Sequence, residues 1–309
     1  MAPAPTRPLD GRVAVVTGGA RGIGRGIALR LARDGAHCVL TYRRSAELAA
    51  QVVKEIEREG VKGLALPLEL GQPSQVPPLF ERVGEAFGRV DILVANAAAT
   101  AFRPLLEQKE YNIRRTFAIS VDSFIAAIQA ALPLMRGRPG RIVAVSGIDS
   151  FQAMPGHGLL GGAKAAVESL VRSLALELGP EGITVNGVNP GMIITDSSRL
   201  YIERGLGRDY EATMAALAAR TPVRRSGTVE DVADCVAWIV SDGAGFLTGQ
   251  TILLDGGLTM VSPLAGLASP LAKLASPPAR TIVNAPEKPD NATRRETRRT
   301  WTTRVLKAR

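Results

Sequence analysis

The sequence predicts an α/β fold: a single doubly wound domain built on a seven-stranded parallel sheet. Three observations predict it. From Arg12 to about Met260, short apolar runs alternate with longer helical patterns, as expected when a parallel sheet is covered on both faces. The 309 residues leave room for one large α/β domain. The first apolar run also leads directly into a glycine-rich turn and a helical pattern.

Taken in order, the expected strands are Val13–Thr17, Cys38–Thr41, Gly63–Pro67, Ile92–Ala95, Arg141–Ser146, Thr184–Asn189 and Gln250–Leu254. Helical patterns between them include Ile23–Asp34, Ser45–Glu59, Ser123–Met135, Gly162–Leu178 and Val229–Ser241. Residues 1–9 read as a Pro-rich lead-in and 10–261 as the domain. Past Val261 the chain mixes Ser, Pro, Ala and Leu without a stable period, so 262–309 is expected to be a disordered extension. There is no internal repeat.

Composition narrows the function. The net charge of +9 invites an acidic partner, but residues 262–309 carry +7 of it and the rest of the chain only +2. Aromatic residues make up 4%, too few for base-stacking platforms, so nucleic acid is not the expected partner. No apolar run approaches the ~20 residues of a membrane helix, and MAPAPTRPLD lacks the apolar core of a secretory signal. Cys38 and Cys235 cannot build a disulfide framework and point to a reducing cytoplasm. Both lie in apolar settings, which suit buried thiols rather than nucleophiles. Asp149 and Glu177 show no spacing that suggests a metal or a carboxylate dyad.

The turn Thr17-Gly18-Gly19-Ala20-Arg21-Gly22-Ile23-Gly24 sits between strand and helix, the context in which a glycine motif cradles a pyrophosphate. Gly18 and Gly22 allow a tight turn and close approach, and Gly24 allows helix and strand to pack closely. Free N–H groups at the helix start, around Ile23, would hold the anion. This is a Rossmann-type signature. The next strand ends in Thr41-Tyr42-Arg43-Arg44, with no carboxylate for a ribose diol. Arg43 or Arg44, with Arg21, suits a 2′-phosphate through bidentate hydrogen bonds, so the expected cofactor is NADP(H).

These residues, together with Asp91–Ala98, Lys164-Ala165-Ala166, Val185-Asn186, Pro190-Gly191 and Leu254–Gly257, resemble the short-chain dehydrogenase/reductase family. They follow the family's order and spacing over about residues 10–258. The nearest flavour is the 3-oxoacyl- and enoyl-carrier-protein reductase branch. The resemblance implies that Asn96 steadies the sheet beside the adenosine, and that Pro190, Gly191 and Thr195 contact the nicotinamide and its carboxamide. It implies that Lys164 holds the nicotinamide ribose and acidifies a catalytic tyrosine.

That tyrosine is absent. The family places it four residues before the lysine, where this chain has Leu160. The family serine, thirteen residues earlier, aligns with Gly147; Ser146, one residue off on a strand end, is expected to face the other way. The family's helix asparagine aligns with Ala118. Only Lys164 of the four is retained. Some enoyl reductases carry their tyrosine seven residues before the lysine, and His157 stands there, in the loop-like Met154-Pro155-Gly156-His157-Gly158. A histidine can shuttle protons near neutrality.

Three readings follow. The first is a non-catalytic subunit that pairs with a catalytic paralogue, in a heterotetramer formed through helices near 102–135 and 162–179. It resembles the partner subunits of two-component reductases in aminocoumarin antibiotic biosynthesis. There the pair oxidises a β-hydroxytyrosyl thioester, tethered to a carrier protein, to the β-keto form with NADP. Here it would interconvert a β-hydroxyacyl and a β-ketoacyl thioester. The second is a self-sufficient reductase that uses His157 and Lys164. The third is a cofactor-sensing regulator whose basic extension binds nucleic acid.

Overall fold

The computed structural model describes residues 7–99 and 101–262. Seven strands form one parallel sheet: β1 (Val13–Val16), β2 (His37–Tyr42), β3 (Gly63–Pro67), β4 (Ile92–Ala95), β5 (Gly140–Val145), β6 (Ile183–Pro190) and β7 (Thr251–Leu254). Their spatial order is β3-β2-β1-β4-β5-β6-β7, so the winding reverses between β1 and β4. In open α/β sheets the crevice at such a reversal is where ligands bind, beyond the carboxyl ends of the strands. Register is continuous across it, with Val15 beside both Val39 and Leu93.

The apolar runs behave as strands buried on both faces. Ala14, Val16, Cys38, Leu40 and Val94 join a layer with the helices α1 (Gly22–Arg33), α2 (Ala46–Arg58) and α9 (Val229–Ile239). Val15, Val39, Leu93, Ile142 and Ala144 point into the opposite layer with α3 (Val76–Phe87), α5 (Ser123–Met135) and α6 (Gly158–Leu178). The period of two along each strand therefore divides the core into two layers. Asp91, buried at the base of β4, accepts the Val13 amide at 2.8 Å and pairs with Arg89.

Three further helices complete the domain: α4 (Glu110–Phe117), α7 (Asp196–Leu200) and α8 (Tyr210–Arg220). Between α4 and α5 the chain makes a π-helical turn, Ala118–Asp122. The helical stretch Glu110–Met135 is thus 26 residues, long and apolar enough by length and composition to cross a membrane. Its longest stretch free of charged residues, Ser123–Met135, is 13 residues. Arg114, Arg115 and Asp122 interrupt the strictly apolar run without breaking the helix, and Phe124, Ala127, Ile128 and Ala131 pack into the domain core.

Helix α6 begins one turn earlier than its sequence pattern, at Gly158, with His157 as its N-cap residue. The segment 102–109, expected within a long helix, is irregular apart from a short 3₁₀ turn at Leu105–Glu107. The expected disorder of the extension falls on residues 263–309, which lie outside the described residues.

Candidate active site

Beyond β1 the chain turns sharply, with Gly18 at φ 67° and Gly22 at φ 54°, values that suit glycine. A Cβ at Gly24 would lie 2.4 Å from the Gly18 carbonyl oxygen, so helix and turn touch backbone to backbone. No side chain caps the first turn of α1 and no acidic residue occupies it. Its leading N–H groups remain open to an anion, as the pyrophosphate cradle requires. Ile23 is half-buried against the core layer below.

Asn96 closes the turn from the side. Its Nδ2 donates to Thr17 O at 2.9 Å, and Thr17 Oγ1 accepts from the amides of Asn96 and Ala97. The three arginines expected at the adenosine end are all exposed. Arg43 is the engaged one: its Nε lies 3.4 Å from Glu69 Oε2.

Deeper in the crevice Lys164 is buried in α6, and its Nζ donates to the Val145 carbonyl at the end of β5. Burial lowers its pKa to about 8, against the opposing pull of Asp149 and Glu168. A small cavity of about 10 Å³, room for about one water, joins Lys164 to Thr17, Ser120 and Ser123. Ser120 lines it, and its buried Oγ has no hydrogen-bond partner among the described residues. Ala118, expected at the family's asparagine position, does not line this cavity. Both residues lie in the π-helical turn, and Ser120 is the one at the cavity.

Leu160 lies half-buried in the first turn of α6. Ser146 Oγ donates at 2.5 Å to Glu168 Oε1, on α6 one turn beyond Lys164. Gly147 opens the short turn Ile148–Ser150, which brings in a residue that sequence spacing did not single out. Asp149 Oδ2 lies 2.9 Å from His157 Nδ1, and both side chains are largely buried. The Phe102 ring stacks on the imidazole at 5.1 Å, and Tyr201 meets it edge-on at 4.2 Å. Tyr201 donates its hydroxyl to Pro155 O at 3.0 Å. Burial, then the nearby Asp149 charge, raises its pKa, so it stays a neutral phenol. With Nδ1 committed to Asp149, His157 Nε2 is left buried and without a hydrogen-bond partner among the described residues.

Around this pair Met154, Met192 and Leu206 join Phe102 and Tyr201 in an apolar cluster. On the far strands Pro190 ends β6, and Gly191 donates its amide to Leu254 O at 2.9 Å. A second cavity of about 220 Å³ opens beside Gly191, lined by Met192, Leu217, Val223 and Leu254 among others. Thr195 caps α7, its Oγ1 accepting the Ser198 amide at 3.1 Å, so the hydroxyl expected at the carboxamide already has a structural partner. The thiols sit as expected: Cys38 is buried, which pushes it up to about 12, and burial raises Cys235 too.

The arrangement has relatives. The family model described as Enoyl-(Acyl carrier protein) reductase matches residues 18–259. A 1-cyclohexenylcarbonyl-CoA reductase of Streptomyces collinus is 41% identical over 253 residues, covering 82% of this chain and 88% of that protein. A solved short-chain dehydrogenase from Burkholderia cenocepacia J2315, in complex with NADP, is 36% identical at a TM-score of 0.75, covering 82% of this chain and 99% of that one. A blue fluorescent protein from a metagenomic library, in complex with NADPH, is 35% identical at a TM-score of 0.73, covering 81% and 99%. The chain belongs to the short-chain dehydrogenase/reductase family, in the branch that the enoyl reductase model describes.

Proposed function

We propose that this chain is an NADP(H)-dependent reductase of an α,β-unsaturated acyl thioester, with His157 and Lys164 doing the work of the missing tyrosine and serine. One observation carries the reading. His157 is gripped through Nδ1 by Asp149 while its Nε2 is buried without a partner among the described residues. A buried polar atom without a partner is costly and calls for a ligand. The open first turn of α1 and the exposed Arg21 and Arg44 fit a dinucleotide with a 2′-phosphate.

When bound, NADPH supplies a hydride to the β-carbon of the unsaturated thioester. Negative charge then builds on the thioester carbonyl oxygen, and the buried Lys164 ammonium stabilises it at neutral pH. His157 delivers a proton from Nε2 to the α-carbon, which completes the saturated thioester, while Nδ1–H is held by the Asp149 carboxylate. Phe102, Tyr201, Met154 and Met192 exclude water and match an apolar acyl group. The test is NADPH consumption by the purified chain with 2-enoyl-CoA and 3-ketoacyl-CoA thioesters. Turnover of the enoyl substrate is expected. A loss of about 10²–10⁴-fold should follow His157→Ala. Undiminished turnover in that variant overturns the assignment.

A second reading is favoured by Leu160 and Gly147, which leave no hydroxyl at the two positions where the family polarises a carbonyl. In it the chain is the auxiliary subunit of a heteromeric β-hydroxyacyl/β-ketoacyl oxidoreductase in antibiotic biosynthesis. Its catalytic paralogue would carry the tyrosine, and its substrate would be held on a carrier protein. It predicts no turnover by the chain alone and restored turnover when the paralogue is added.

A further inference from the structure

The Asp149–His157 pair occupies space that two glycines leave open. A Cβ at Gly147 would lie 2.7 Å from Asp149 Oδ1. A Cβ at Gly161 would lie 2.2 Å from the Asp149 carbonyl oxygen and 3.0 Å from its carbonyl carbon. Neither glycine is required by its own backbone: Gly147 is extended, at φ −175° and ψ 153°, and Gly161 is helical. At Gly147 a side chain would displace the Asp149 carboxylate, and at Gly161 it would meet the main chain of residue 149.

The two contacts act on different parts of the aspartate. Gly147 clears room for the carboxylate, and Gly161 lets α6 approach the main chain of the turn that carries it. Gly161 also donates its amide to His157 O at 2.8 Å, so it belongs to the helical turn that His157 opens. From the other side Asn189 Nδ2 donates to Ser150 Oγ at 2.9 Å and to Glu168 Oε1 at 2.7 Å, anchoring the same turn to β6 and α6.

We propose that Gly147 and Gly161 are positioning residues that form the slot in which Asp149 holds His157. Glycine at 147 is then the counterpart of the new carboxylate, not merely the loss of a serine. The inference rests on the reading of His157 as the proton-transferring group.

Two measurements test it without relying on turnover. The first is a double-mutant cycle on Tm with Gly147→Ser and Asp149→Ala. Gly147→Ser should lower Tm when Asp149 is present and far less when Asp149 is alanine, a non-additivity that contact predicts. An equal shift in both backgrounds overturns the slot. If Gly147→Ser alone fails to fold, recovery of folding in the double variant supports it, and failure of the double variant too overturns it. The second is the ¹⁵N signature of the imidazoles. The chain has two histidines, so a His37→Gln variant assigns His157. The carboxylate can only accept, so the neutral ring should carry its hydrogen on Nδ1. Folded Gly147→Ser and Gly161→Ala chains should shift toward the Nε2–H form, with kcat reduced about 10²-fold and KM little changed. Retention of the Nδ1–H form in both overturns the proposal. If cycle and tautomer behave as expected while the native chain reduces no enoyl thioester, the slot stands and the reductase reading fails.

Discussion

Asn96 and Thr17 lock the end of β4 to the turn that follows β1: Asn96 Nδ2 donates to Thr17 O at 2.9 Å, while Thr17 Oγ1 accepts the Asn96 amide at 3.0 Å. The cradle is therefore held in shape by its neighbours. A Cβ at Gly24 would strike both parts, 2.4 Å from Gly18 O and 2.5 Å from Asn96 Nδ2. Gly24→Ala should weaken NADPH binding by roughly tenfold or more, about 1.4 kcal/mol, in a calorimetric titration. Unchanged affinity would mean that the nucleotide does not use this turn.

The arginines make a separable prediction. Arg21 and Arg44 are exposed, whereas Arg43 is within 3.4 Å of Glu69. Charge-assisted hydrogen bonds contribute about 1.5–3 kcal/mol. The Arg21→Ala/Arg44→Ala chain should accordingly lose at least about 10-fold in NADPH affinity, while NADH affinity stays level. Equal losses for the two nucleotides would rule out recognition of a 2′-phosphate there.

Lys164 links stability to alkaline pH. Burial, the dominant effect, lowers its pKa to about 8 from 10.5. Below pH 8 the native and unfolded chains both keep the proton, and the cost of the buried ammonium is fully present. Between pH 8 and 10.5 the unfolded chain binds more protons, so native stability rises with pH across that window. Relative to a Lys164→Met chain, the native chain should gain up to about 3 kcal/mol there, measured by urea unfolding. A flat difference would contradict the burial of a charged lysine.

At α9 a capping box joins Thr228 and Asp231: Thr228 Oγ1 accepts the Asp231 amide, and Asp231 accepts the Thr228 amide at 2.8 Å. Thr228→Ala should cost about 1 kcal/mol, or some 2–4 °C in Tm for a domain of this size. Arg225, foremost, and Thr228 hold the Asp231 carboxyl at about 2. The stabilisation is present above pH 3.8, the unfolded value, and is lost as pH falls toward 2. A Thr228→Ala chain with unaltered Tm would show that the cap is idle.

The sheet could be read from the sequence because strands buried on both faces leave unbroken apolar runs, and every expected strand matched to within one residue at either end. The cradle was legible because its glycines are consecutive with the strand and helix they join. The catalytic end was only half legible. His157 stood out by its distance from Lys164, but Asp149 reaches it across an irregular loop, where no periodicity relates one residue to another. Ser120 was hidden for a different reason. The family resemblance places the asparagine at Ala118, whereas Ser120, two residues on in the π-helical turn, is the residue at the cavity.

The glycine at 147 constrains how this active site can change. Leu160→Tyr would return the phenol alone, and the hydroxyl that family tyrosines work beside would need Gly147→Ser, whose Cβ would sit 2.7 Å from Asp149 Oδ1. Asp149 would have to shift or leave, loosening its hold on His157. Under the proposed function the two arrangements differ at three positions, 147, 149 and 160, and the carboxylate that holds His157 occupies the room that a serine at 147 would need.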